Sequence, residues 1–443
     1  MMTLPGLSQA DNADITTEEY VKHIFAATSR AWPELEKTWN TTVFRNIRLI
    51  VADSHDAWAV DSKNLIKIPY SEVQQRHLAV DYMNYQEIQW TDGRPTIYVS
   101  MGTSLPEEEK ARFRSEKKPV PELFNVATHE AFHFFVQADA WGRGAQSTYS
   151  RATDYPIQAV PRFYRNNIIR ALYASLQGDP AGLGHARYWS NLWKERYHDE
   201  ASRIRQTDVE EGSARYIEIA AEIIAQGIHF NTPEFQHAVT ERIKGEANIV
   251  YTLADSESYT IGALAGFILN TRNVEWQSDV EQGIPPLDIL LKGVTAIKER
   301  ADKTLRADVN QQVSEINNTT GIDNFIRAYK YPGVIRVFVD SDLSGSYELR
   351  GFFRTNAIPY DLATGVGSSA NWPSGSYSIK ESVAAVIDSE SSGYHGKNGL
   401  LFLYAGRIPP ADNGRLILNT ERLSLDIPYP EDIEKTKIIY LHN

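Results

Sequence analysis

The chain has 443 residues, 42% of them hydrophobic and 11% aromatic, which excludes a disordered polymer and predicts two or three folding units. Its formal net charge is -12 with no long Lys/Arg block, which argues against nucleic acid and anionic lipid as partners. With no cysteine at all, thiolate nucleophiles, disulfides and Cys-ligated metals are ruled out, and His and carboxylate remain as the strong metal ligands.

In chain order, residues 1–14 lack the charged and long apolar regions of a full export signal, but "LSQA" before "DNA" has the small residues of a signal-peptidase site. A trimmed signal segment is the expectation, and with it a secreted, periplasmic or cell-surface location; a loose cytoplasmic N-terminus is the alternative. Residues 15–39 predict a helix opened by a threonine cap followed by glutamate, with Phe25, Ala26 and Trp32 among its apolar positions. The runs "FRNIRLIVAD", "AWAVD", "LIKIPY" and "PTIYVSMG" are β-branched and aromatic and separated by turn formers, as in a small sheet, giving an N-terminal α/β part over 15–120. The charged "PEEEKARFRSEKK" predicts a solvated helical connector, and Pro121 then suits the first turn of a helix over 121–140.

Further helices are predicted at 157–177, 184–205, 208–227, 233–245 and 256–271, with two more between 286 and 328, so that 121–328 forms a helical region. From 331 to 443 short alternating runs with Gly/Ser/Pro turns predict an all-β domain, a sandwich or small barrel. The fold class is α+β. No run is long and apolar enough to span a bilayer.

The chemistry concentrates in "VATHEAFHFFVQ", residues 126–137. His129 and His133 are four apart, so a helix projects both imidazoles from one face, one turn apart, where both can reach one ion. Glu130 lies about 100° round the helix from His129, beside the ion, where a carboxylate can take a proton from metal-bound water. Apolar residues surround these groups: Leu123, Phe124, Val126, Ala127, Ala131, Phe132, Phe134, Phe135 and Val136. Burying the polar trio without partners would cost roughly 1–3 kcal/mol per neutral group and more for the charge, so a metal ion is predicted over core histidines satisfied by hydrogen bonds. A third ligand must come from a neighbouring helix. "QTDVEEGSARYIEIAAEIIAQ" offers Glu211, with Gly212 and Ala214 small enough for close helix approach; Glu210 is the competing ligand, and Asp208 with Glu211 also reads as a capping box.

"HEAFH", with Glu211 of "EEGSARYIE" 78 positions after its second histidine, resembles the gluzincin zinc metallopeptidases, in particular peptidase-MA-like proteins, whose H-E-x-x-H helix is joined by a helix of the form E-G-x-A-x-Y. The resemblance covers roughly residues 90–290. It implies a zincin-like catalytic region with one Zn2+ held by His129, His133 and Glu211, and Glu130 as general base. It also implies an edge strand that pairs with extended substrate, which places Ile97–Ser100 in that role.

The oxyanion formed during hydrolysis needs a donor. "SESYTIGALAGFILN" puts Tyr259 in a Y-x-x-G pattern resembling the helix that follows the glutamate helix in these enzymes; Tyr216 reads as packing, and His185, His198 and Arg162 remain minor candidates. Glu218 could orient a ligand histidine, although a solvated glutamate is the expectation. "DSDLSGS" from 340 predicts a turn rather than a calcium loop. The expected function is hydrolysis of peptide bonds, with peptide or protein as partner. A non-catalytic zincin-like binding or adhesion module and a zinc hydrolase of non-peptide amides are the alternatives, and intact Glu130 argues against the first of these.

Overall fold

Thr16 opens the first helix, Thr17–Glu34: its hydroxyl accepts the Glu19 amide at 3.3 Å, and the Glu19 carboxylate accepts the Thr16 amide at 3.0 Å. This is the reciprocal box expected of a threonine with glutamate three residues on. The helix buries Tyr20, Ile24, Ala27, Ala31 and Trp32 and packs against helices Glu122–Phe132 and Arg205–Ala225. The structure, a computed structural model, describes residues 14–137, 150–343, 346–389, 394 and 396–442. The signal segment up to residue 13 and positions 138–140 of the helix expected over 121–140 lie outside the described residues.

Five strands make the first sheet: β1 Arg48–Ala52, β2 Ala57–Val60, β3 Leu65–Ile68, β4 Tyr85–Gln89 and β5 Pro95–Ser100, in the spatial order β3-β2-β1-β5-β4. β1 and β5 run parallel, and all other neighbours are antiparallel. Strand alternation divides the side chains by face. Leu49, Val51, Ile97 and Val99 join the main core under the helices, while Ile50, Ala52 and Tyr98 build a smaller core on the other face with Val73 and Leu78.

The expectation that Ile97–Ser100 forms the edge is overturned. β5 is enclosed by β1 on one side and β4 on the other, with Tyr85 opposite Val99 and Glu87 opposite Ile97. Among the described residues the edge on this side is β4, with β3 at the other end, and its "YQEIQ" carries polar side chains outward, as solvent-facing edges do, and therefore lacks the apolar signature of a strand.

Helices dominate from Ala159 to Tyr329. Three position the site: Glu122–Phe132 (the histidine helix), Arg205–Ala225 (the glutamate helix) and Ala254–Thr271 (the tyrosine helix). The small residue Gly212 does allow a close helix approach, but towards the tyrosine helix. A Cβ placed on Gly262 would sit 2.3 Å from the Gly212 Cα. The same pair of helices is tied by Arg165, on helix Ala159–Leu176, which reaches Asp208 at 2.7 Å and Glu257 at 2.7 Å. Asp208 is thus an ion-pair partner inside a helix that starts at Arg205, and the capping-box reading of Asp208 and Glu211 does not apply.

The C-terminal portion is β-rich, and its strands form one open, branched sheet without closing into a barrel. Its longest strands, Leu362–Trp372 and Gly375–Ile387, pair as a hairpin broken by register shifts near Val366. Across Gly375–Ile387 the partner changes from Leu423–Pro428 to Gly399–Tyr404, so the bent sheet wraps its own core around Val337, Val366, Leu416 and Leu425. Thr153–Asp154, far earlier in the chain, adds a short parallel strand beside Gly351–Arg354. Asp340 and Asp342 of "DSDLSGS" flank Lys397 at 3.6 and 2.6 Å, as in a charged turn; positions 344 and 345 lie outside the described residues. Among the described residues no helix is long and apolar enough to cross a membrane.

Candidate metal centre

The regular helix ends at Phe132 and continues over His133–Gln137 as a widened, π-type turn, a feature that often marks functional sites. His129 and His133 still face one another, with their Nε2 atoms 3.0 Å apart. Glu211 closes the group from the neighbouring helix: its Oε2 is 3.4 Å from His129 Nε2 and 3.3 Å from His133 Nε2. These three side chains can hold a metal ion, their ligand atoms all lying within 4.8 Å of one another.

Each ligand is braced from behind. Glu218 lies on the glutamate helix two turns beyond Glu211, and its Oε2 is 3.0 Å from His129 Nδ1. It is buried, not solvated as expected. Burial opposes its ionisation, but Arg215 and His129 outweigh that and hold its pKa down to about 2. The Gln137 amide oxygen is 2.6 Å from His133 Nδ1, and its nitrogen donates to the Glu210 carbonyl and the Ser213 hydroxyl. Both histidines thus have their Nδ1 atoms engaged and present Nε2 to the shared position, the arrangement that sets tautomer and ring orientation in ligand histidines. Burial alone would lower the His129 pKa, yet Glu211 and Glu218 raise it to about 10. These carboxylates favour the protonated ring, so binding of a cation by His129 would compete with a proton.

Glu130 is beside the three ligands, and Tyr85, at the start of the edge strand, neighbours it and lines the same cleft. Burial pushes the Glu130 pKa up and the two histidines pull it down, with the upward effect prevailing. Tyr259 stacks on His129 with ring centroids 5.7 Å apart and planes 9° from parallel. Burial first, and Glu211 second, keep its phenol protonated and able to donate.

The other sequence candidates fall elsewhere. The Glu210 carboxylate takes a hydrogen bond from Gln206 at 2.9 Å. Tyr216 is fully buried among Trp39, Phe267 and Trp276. His185 neighbours Glu299, His198 is 85% exposed beside Asp199, and Arg162 is buried between Glu200 and Glu257.

Two site residues carried no sequence signal. Tyr85 is one, because its strand was unread. Arg151 is the other: its Nη2 is 3.3 Å from Glu211 Oε1 and donates to the Tyr259 hydroxyl at 3.4 Å, while its Nε is 3.5 Å from the buried Asp255. The Arg151 guanidinium also lies 4.8 Å from the ring centre of Phe352, on a strand of the C-terminal sheet. The pairing of Thr153–Asp154 with that strand and the Ser150 hydroxyl bond to Asp361 fix the backbone on either side of Arg151. The C-terminal portion therefore holds a side chain in the metal centre.

The Glu218 brace predicts a measurable effect. Glu218→Ala removes the acceptor from His129 Nδ1 and should weaken metal affinity by about 10–100-fold, as read by competition with a chelating dye. Unchanged affinity would show that the 3.0 Å contact does not orient the ring.

Comparison with family models, with curated proteins and with solved structures finds no match for the chain.

Proposed function

We propose that the protein is a zinc-dependent peptidase of the gluzincin type, with a zincin-like catalytic region, hydrolysing peptide bonds with water activated by Glu130. The observation that carries this reading is the convergence of His129 Nε2, His133 Nε2 and Glu211 Oε2 on one position, with a second carboxylate, Glu130, next to them. Two imidazoles and one carboxylate fit zinc with an open coordination position. Zinc, when bound there, acidifies water and polarises a carbonyl.

The chain's own residues supply the rest. Glu130 accepts the proton of the attacking water and passes it to the leaving amine, a role for which a carboxyl with a raised pKa is suited. Tyr259 donates a hydrogen bond from its hydroxyl to the developing oxyanion, its oxygen polarised by the Arg151 guanidinium. Among the described residues nothing pairs with the outer side of the strand Tyr85–Gln89, and its Tyr85 lines the same cleft as His129 and Glu130. An extended substrate adding to it would lie across the metal position.

The test is digestion of a mixed peptide library by protein loaded with zinc and by protein stripped with a chelator. Cleavage that disappears on stripping and returns with zinc is the expected result. Zinc-loaded protein that cuts no peptide removes the peptidase reading and leaves the binding module or the hydrolase of non-peptide amides.

A further inference from the structure

The metal centre opens into a cleft of about 710 Å³ that follows the histidine helix back from His129, past Asn125, to Glu122. Three guanidiniums line it, and each is already engaged. Arg112 binds Glu109, Glu116 and the Val120 carbonyl. Arg215 binds Glu218 and Glu246, and Arg242 binds Glu222 and Glu246. Glu122 is different: its carboxylate takes one hydrogen bond, from the Tyr82 hydroxyl at 3.3 Å, and forms no ion pair among the described residues. It is half-buried, and burial first and nearby Glu109 second disfavour its charged form by more than the Arg112 guanidinium favours it. A cation arriving there would relieve both effects.

A second group points to the same ligand. Asn125 is 7% exposed, and its side-chain oxygen has no hydrogen-bond partner. It sits between Glu122 and His129 on the cleft wall. A buried amide left unsatisfied costs about 1–3 kcal/mol, and the N–H of a peptide passing through the cleft would satisfy it. Length selects among cationic ligands. Glu122 and His129 are seven residues apart, about 10 Å along the helix axis. One residue of backbone covers only about 3.5 Å, so the free amine of a residue next to the scissile bond falls short. The long stem of a lysine or arginine on that residue makes up most of the difference.

We propose that this cleft is a recognition site for one lysine or arginine side chain flanking the scissile bond, with Glu122 as its counter-charge and Asn125 as a backbone acceptor. The proposal rests on the peptidase reading for the term scissile bond, but its binding step is tested without turnover. The probe is a blocked hexapeptide with one lysine among alanines, compared by calorimetry with the same peptide carrying norleucine, both titrated into zinc-loaded Glu130→Gln protein.

The lysine peptide is expected to bind about tenfold more tightly. Glu122→Gln should abolish the difference, and Glu122→Lys should invert it in favour of a glutamate peptide. Asn125→Ser, as an independent variant, should weaken lysine and norleucine peptides alike. Equal binding of the two peptides, or a lysine preference that survives Glu122→Gln, overturns the site. Lysine-selective binding in a protein whose wild type cleaves nothing would overturn the peptidase reading and leave this site standing; cleavage without basic preference would do the reverse.

Discussion

Glu130→Gln is expected to keep its zinc and lose about 10²–10⁴ in kcat, the usual share of a positioned general base. The side chain is not among the three that converge at the metal position, so metal content should be unchanged when measured by atomic emission. Glutamine preserves the shape of the side chain beside Tyr85, so the loss would report the missing proton acceptor and not a collapsed wall. A His129→Ala protein offers the contrast, because it loses a ligand and should lose zinc and cleavage together. If Glu130→Gln retained more than about a tenth of wild-type kcat, general-base catalysis by this residue would be ruled out.

Arg165→Met is expected to destabilise the fold by about 3–5 kcal/mol, since removing this member of a buried ion cluster strands the Asp208 carboxylate, while Glu257 keeps only Arg162. The guanidinium is fully buried, 2.7 Å from Asp208, 2.7 Å from Glu257 and 4.5 Å from the centre of the Trp193 ring. Asp208 lies one turn before Glu211, and Glu257 lies two residues before Tyr259. The arginine thus fixes the relative position of the metal-facing carboxylate and the phenol. Denaturant unfolding should show the loss directly, and adding Asp208→Asn should recover part of it by removing one stranded charge. A change under about 1 kcal/mol would place the cluster in the class of weak surface pairs.

What could be read from the sequence was whatever the helix period encodes locally. His129 and His133 share a face because four residues make nearly one turn, and Glu211 was found because it stands beside small residues on an apolar-striped helix. Glu218 was visible at the right spacing but misjudged, since nothing in its neighbourhood reveals that Arg215 and His129 would draw it inside. Arg151 was unreadable: its position depends on Thr153–Asp154 pairing with Gly351–Arg354, about 200 residues away in sequence, and such long-range pairing leaves no local trace.

The strands show the same division. Gly399–Tyr404 and Leu423–Pro428 fall among the short alternating runs expected over 331–443. The eleven-residue strand Leu362–Trp372 does not, because Thr364, Gly365, Gly367, Ser368 and Ser369 have the composition of a loop. The backbone at Gly365 has a φ of +61°, a conformation that favours glycine, which accounts for that residue inside a strand. The edge strand Tyr85–Gln89 escaped for the opposite reason, being polar where it meets solvent, and its loss from view cost the sequence reading Tyr85 and the true sheet edge.

The central claim is tested most directly by anomalous diffraction from crystals grown with zinc, recorded on both sides of its absorption edge. The account predicts one strong peak about 2.0–2.2 Å from His129 Nε2, His133 Nε2 and a Glu211 carboxylate oxygen. Zinc-loaded crystals with no peak between these three side chains, or with zinc held by other residues, would contradict it.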